Sequence, residues 1–320
     1  MALTFAMVVV GGITRLTGSG LSIVRWEPLI GVLPPLSHGD WERVFALYRE
    51  SPQFRLVNHA MDLEAFKGIF WLEWVHRLLG RVIGAVVIIP GVWFAVRRRI
   101  RWPQMKRLAA IVLLGALQGG VGWYMVQSGL VDDPRVSHLR LTLHLGLGVL
   151  IFAALLCEAL DIAKVADAPP TLWIKARALA LVSFVTVLSG GLMAGLRAGA
   201  LYPTFPLMHG KLLPEGIGSF EPVWRNLWDN AITVHAQHRW LGFLVLVGTL
   251  VVFPSAYRFR PTRAAALCLA VTTLAQVALG ALTVLAHVPI LLASLHQANA
   301  LLLVASAMTL VLQVPRKSRS

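Results

Sequence analysis

Charge is scarce in this 320-residue chain, and what there is leans one way. Only 14% of its residues are Asp, Glu, Lys or Arg, against about 25% in a typical soluble domain. That shortage, with apolar runs near 20 residues recurring along the chain, excludes an ordinary water-soluble fold and indicates a polytopic membrane protein. Cysteine is nearly absent. Cys157 and Cys268 are the only two, and both stand inside apolar runs. A disulfide framework is thereby excluded, and the pair read as small buried hydrophobes. Acidic residues number 15 against 29 basic ones. The basic excess is not a nucleic-acid surface, because it sits in short loops: "RRRIRWPQMKR" from Arg97, "YRFRPTR" from Tyr257 and "PRKSRS" at the C-terminus. That is the positive-inside signature of cytoplasmic loops. No signal peptide or transit segment precedes the first span, as expected of a bacterial protein.

What is present is apolar: 57% of the residues are hydrophobic. The runs predict eight spans, near 1–20, 67–96, 108–128, 139–163, 177–197, 232–256, 264–286 and 291–314. Basic loops after the second, fourth, sixth and eighth place those ends, and both termini, in the cytoplasm. The first span is the weakest, with 14 residues before Arg15. The longest connections, 18–66 and 198–231, fall on the opposite side. In the first of them "DWERVFALYRE" sets Trp41, Phe45 and Tyr48 on one helical face. Such a face lies either on the membrane or over a pocket, or else packs as an ordinary loop helix.

The halves echo each other. "VVVGGITRLTGSG" ending the first span returns as "VLSGGLMAGLRAG" ending the fifth. "LQGGVGW" from Leu117 returns as "AQVALGA" from Ala275, and "LRLTLHLGLGVL" from Leu139 as "LLASLHQANALL" from Leu291. The chain therefore reads as an all-α integral membrane protein of two duplicated four-helix bundles, 1–165 and 172–320, joined by a cytoplasmic linker over 161–172. Both halves start on the same side, which makes the repeats parallel.

Of ten histidines, four form a pattern. His76, His144, His238 and His296 each stand near the start of an even-numbered span. Each lies 20 or 21 residues before a basic residue, Arg97, Lys164, Arg258 and Arg316 respectively. At 1.5 Å per residue this is roughly 30 Å, one hydrocarbon thickness, so all four rings lie at one level. A histidine within a span is costly to desolvate without a partner. Two imidazoles from facing helices suit a low-spin haem iron, with no cysteine or carboxylate required, better than a tetrahedral zinc. His38, His59, His138, His209 and His287 lie in loops or at span ends and read as surface residues.

Arg77 and Arg81 follow His76, Arg140 precedes His144, and Arg239 follows His238. Each can snorkel to the boundary or hold a haem propionate through charge-assisted bonds. The halves differ at one point. Three residues before His76 stands Glu73, and three before His238 stands His235. A carboxylate there can take or give a proton, with its affinity for the proton raised by desolvation, or serve as a partner for a nearby arginine. His235 either donates a hydrogen bond or borders the second haem.

Six ordered segments together resemble haem A synthases: "GGITRLTGSGLSI" from Gly11, "EWVHRLLGR" from Glu73, "VSHLRLTLHL" from Val136, "AGLRAGALYPTFPLM" from Ala194, "AQHRW" from Ala236 and "ASLHQ" from Ala293. The resemblance implies a bacterial inner-membrane enzyme that oxidises the C8 methyl of haem O to a formyl group by successive hydroxylations, for terminal oxidases. It implies His76 and His144 beside the substrate haem O, His238 and His296 on a haem B cofactor, and Glu73 as the catalytic residue. Compatible partners are a haem O synthase, a membrane electron acceptor and a second copy of the chain, with no nucleic acid. Some members carry a cysteine pair in the first external loop. Segment 18–66 has no cysteine, so thiol chemistry in that loop does not apply. Two other readings share the histidines: a di-haem b-type electron-transfer cytochrome and a haem transporter.

Overall fold

The computed structural model describes residues 1–27, 30–160 and 170–314. Part of the expected linker (161–169), with Lys164, and the C-terminal basic run with Arg316 lie outside the described residues. Among those described, ten α-helices form and no strand. They are α1 (Ala2–Leu16), α2 (His38–Arg49), α3 (Pro52–Leu56), α4 (Leu63–Val96), α5 (Trp102–Gln127), α6 (His138–Ala159), α7 (Pro170–Gly195), α8 (Ala231–Arg258), α9 (Arg263–Leu285) and α10 (Ile290–Gln313).

Seven of these, α4 to α10, are long and apolar enough to cross a membrane. They coincide with seven of the eight expected spans. The eighth, α1, is apolar but has 15 residues, or about 22 Å against the roughly 30 Å of a hydrocarbon core. Helix α7 opens at Pro170, inside the segment expected to be linker. Cys268 corrects another expectation: it lies exposed on α9, while Cys157 is half-buried, and both are free.

Helix α4 starts where Asp62 caps it, its carboxylate accepting from the Ala65 amide. Its 34 residues make about 51 Å of helix, far more than one bilayer core needs. The surplus has a use. Phe66 and Phe70 on its first turns carry α2, whose Trp41, Phe45 and Tyr48 rings meet them at 5.0–5.1 Å between centroids. Tyr48 is 0% exposed, so this segment is a packed loop helix. A Ser37–Asp40 capping box starts α2, and the Tyr48 hydroxyl donates to Gln53, whose amide in turn donates to the Gly18 carbonyl.

Two compact units divide the chain, Met1–Ile151 and Phe152–Ser320. In the first, α1 packs on α4 and α4 on α5, and hydrogen bonds tie α5 to α6. In the second, α7 packs on α8, α8 on α9 and α9 on α10, which returns to α7. Its core is Leu172, Leu179, Val252, Ala256, Ala266, Leu269, Leu303, Ala307 and Leu310. These residues lie where α8 and α10 end and where α7 and α9 begin. Alanine at those crossings lets the backbones approach closely, which is how helices associate in lipid. The opposite end, where α8 and α10 begin, is left to polar residues.

Candidate functional site

In the second unit that polar end is built around His238 on α8 and His296 on α10. Their ring centroids are 6.2 Å apart and their planes cross at 76°. Two imidazole nitrogens bound to one metal at roughly 2 Å each, with the ring centres about 1.2 Å behind them, require a spacing near 6.4 Å. The spacing of the pair is that of two imidazoles either side of one metal, the arrangement in which His238 and His296 would hold a haem iron. Among the described residues no cluster of three or more His, Cys, Asp or Glu could hold a metal ion.

Glycines make the room. A Cβ on Gly190 would lie 3.3 Å from His238 Cε1, and one on Gly280 would lie 2.9 Å from His296 Cε1. Ser189 Oγ stands 2.7 Å from His238 Nδ1, and Gln276 Nε2 stands 3.3 Å from His296 Nε2. Asn299 donates to Gln276 Oε1 at 2.7 Å and to the Thr272 carbonyl at 2.8 Å. Sequence reasoning missed Ser189, Gln276 and Asn299. Their positions in the repeated segments beside the histidines could have marked them.

Arg239, 9% exposed, donates to the carbonyls of Tyr202, Pro206 and Leu207 and to His235 Nε2 at 3.0 Å. An arginine can only donate, so His235 accepts at Nε2 and carries its own hydrogen on Nδ1. His235 is 0% exposed and pairs with the arginine one turn on, with the Tyr202 ring against it.

The first unit repeats the plan. His76 stands on α4 and His144 on α6. A Cβ on Gly11 would lie 2.9 Å from His76 Nε2, and one on Gly122 would lie 2.9 Å from His144 Cε1. Gln118 Nε2 stands 3.4 Å from His144 Nε2 and donates to its carbonyl at 3.0 Å. Glu73, 3% exposed, fills both carboxylate oxygens. Oε2 accepts from Ser22 Oγ (2.7 Å) and the Ile23 amide (2.9 Å), while Oε1 accepts from Arg77 Nε (3.0 Å) and Nη2 (2.6 Å).

Arg77 also donates to the carbonyls of Ile23 and Arg25, and Arg81 to that of Glu27. Arg140 donates to the Tyr124 carbonyl and stacks 3.7 Å from that ring's centroid. Every arginine considered for a propionate thus has backbone carbonyls among its partners, and three of the four reach long-loop carbonyls. His38, His59, His209 and His287 are exposed and His138 half-buried, with none of them beside the paired rings.

Fold and site together define a multi-pass helical membrane protein with a half-buried imidazole pair in the second unit and two matching half-buried histidines, each against a glycine, in the first. A family model for cytochrome oxidase assembly proteins (COX15-CtaA) matches residues 1–308. The chain belongs to that family. It is 46% identical over 96% of its length to a heme A synthase of Nitrosospira multiformis, covering 89% of that protein. It is likewise 46% identical to heme A synthases of Parvibaculum lavamentivorans, over 94% of this chain and 88% of the relative, and Rhodospirillum centenum, over 94% and 82%.

Proposed function

We propose that this chain is a haem A synthase, an oxidoreductase that converts the C8 methyl of haem O into a formyl group by successive hydroxylations and so supplies haem A to terminal oxidases. The observation that carries the proposal is the imidazole pair of the second unit, with two matching histidines in the first, in a chain that matches heme A synthases along nearly its whole length. The enzyme is a multi-pass protein of the bacterial inner membrane. Its eight crossings, α1 among them, form two duplicated four-helix halves, 1–165 and 172–320, with both termini cytoplasmic.

Recurring local geometry supports the duplication. Gly11 and Gly190 stand against the first histidine of each unit, and Gly122 and Gly280 against the second. Gly18 (φ +69°) and Arg197 (φ +53°) occupy equivalent left-handed positions just before short 3-10 turns. Arg77 and Arg239 bind equivalent loop carbonyls, those of Ile23 and Tyr202.

The halves divide the labour. His76 and His144 receive haem O, and His238 and His296 hold haem B. Haem B, when bound, supplies a one-electron iron couple for passing electrons onward. Glu73, one helical turn before His76, gives the first half a carboxylate to accept the protons released as the methyl is oxidised. The second half has His235 there, engaged with Arg239. Arg77, Arg81, Arg140 and Arg239 line the loop side of the two sites, where guanidinium groups meet propionates. Haem O is the substrate, and a haem O synthase and a membrane electron acceptor are the partners this chemistry calls for.

The test is porphyrin analysis in a host that makes haem O but no haem A. A formyl or hydroxymethyl haem that disappears with Glu73→Ala and with Glu73→Gln supports the synthase and its first-half chemistry. Only haems B and O, from folded and haem-loaded protein, point to an electron-transfer cytochrome, and release of unchanged haem to a transporter. Glu73→Gln matters because it keeps the side chain's size and one acceptor for Arg77, so lost turnover there is not lost folding.

A further inference from the structure

The two units hold their first histidines differently, and the difference lies behind the ring. Ser189 Oγ is 2.8 Å from the Thr186 carbonyl and 2.7 Å from His238 Nδ1. A serine hydroxyl has one hydrogen and two lone pairs. The hydrogen goes to the carbonyl, which only accepts, so Ser189 offers His238 a lone pair. Nδ1 must then carry the hydrogen and donate it, which leaves Nε2 with a free lone pair for a metal. A second relay reaches His296 from the side of Nε2. Asn299 gives its hydrogens to the Thr272 carbonyl and to Gln276 Oε1, which turns the Gln276 NH2 toward His296 Nε2. That contact is made at Nε2 itself, so it fixes the His296 tautomer but does not support the ring from the far nitrogen.

The first unit lacks the serine behind its first histidine, while Gln118 stands at His144 Nε2 (3.4 Å) as Gln276 does at His296 (3.3 Å). The repeated segments set Val10 opposite Ser189 and Leu147 opposite Asn299, and neither side chain forms a hydrogen bond. Gln118 Oε1 is buried without a partner. The His76 ring turns its Nε2 edge toward α1, where a Cβ on Gly11 would meet it at 2.9 Å, whereas His238 presents Cε1 to Gly190.

We infer that Ser189 is a positioning residue that makes the second pair a permanent haem site, while Val10 at the matching position leaves His76 free to turn and release a porphyrin. The inference rests on the reading of the first unit as substrate site and the second as cofactor site. Its physical basis is general. An acceptor behind a ligating imidazole fixes its tautomer and direction and strengthens its donor nitrogen, and losing such a partner costs about 10–100-fold in metal affinity. A substrate site must let go of its product, and a cofactor site must not let go of its haem.

The experiment uses full-length protein in detergent and needs no turnover. Haem transfer to apomyoglobin and the midpoint potential of the retained haem are measured for wild type, Ser189→Ala, Ser189→Thr and Val10→Ser. Ser189→Ala is expected to release the retained haem about 10–100-fold faster and to raise its potential, because the ligand loses electron density. Ser189→Thr, which keeps a hydroxyl, restores both. Val10→Ser slows the loss of haem O loaded into the first site. Unchanged release and potential in Ser189→Ala overturn the inference, as does a defect that Ser189→Thr fails to repair, or haem O release unaltered by Val10→Ser. If the wild type converts no haem O yet the release pattern holds, the functional reading fails and the positioning role of Ser189 stands.

Discussion

Replacing Gly280 by alanine sets two effects of opposite sign against each other. In a helix interior Gly→Ala ordinarily gains about 1 kcal/mol, because alanine loses less backbone freedom on folding. At Gly280 the new Cβ would lie 2.9 Å from His296 Cε1, 3.4 Å from Nδ1 and 3.7 Å from Nε2. Carbon atoms in good contact sit about 3.5–4.0 Å apart, so the ring must retreat by roughly 0.6–1 Å. A metal–imidazole bond is only about 2 Å long, so that retreat removes most of the ligand's hold. The variant should fold, with the unfolding temperature of the haem-free protein unchanged or raised. It should carry at least tenfold less haem in the second site. Haem per chain by pyridine haemochromogen, read beside thermal unfolding of the haem-free protein in detergent, separates the two effects. Gly119→Ala is the control, since nothing lies within 4 Å of its Cβ position. Full haem content in Gly280→Ala would refute the claim that this glycine makes room for a ligand ring.

Arg239→Leu removes the anchor of three loop carbonyls and the partner of His235. At about 1.5–3 kcal/mol per charge-assisted bond, less what solvent recovers, the loss should exceed about 2 kcal/mol. It should appear as faster limited proteolysis within 202–230, with cleavage elsewhere unchanged. Asp40 is held below the usual carboxylate range, first by the Ser37 hydroxyl, then by the Ser37 amide and Arg43. A depressed carboxylate stabilises the fold above its unfolded pKa and loses that contribution as pH falls through the lower folded value. Trp41 fluorescence should therefore report loosening of α2 only below pH about 4, and Asp40→Asn should flatten that response.

Much of the architecture was legible because lipid enforces a simple code. Without water, a spanning segment must satisfy its backbone internally, so length and apolarity alone identify helices. Seven spans followed from that code. The first span was expected from it too, and α1 is apolar there, but its 15 residues make only about 22 Å of helix before Gly18 turns the chain through φ +69°. The histidine pairing was legible for a related reason. Regular helices convert residue spacing into depth, so matched distances to basic residues set an expectation of four rings at one level. Glu73 was recognised as exceptional, but not that four donors would fill it, two of them from loop residues about 50 positions earlier. Arg77, Arg81 and Arg239 were recognised as boundary cations. Their loop carbonyl partners stayed hidden, because a carbonyl looks the same at every position in a sequence.

By itself, then, the sequence determined the membrane-spanning helices, the repeated motifs and the identity of the four paired histidines. Each is written in one-dimensional regularities: run length, repeat and spacing. Only the tertiary structure decided which groups stand beside those rings. Ser189 against His238, Asn299 against Gln276 and Ser22 against Glu73 join residues 49, 23 and 51 positions apart. Hydrogen bonds act within about 3 Å and along fixed directions. Such partners exist only once the helices have packed, and no periodicity in the chain announces them.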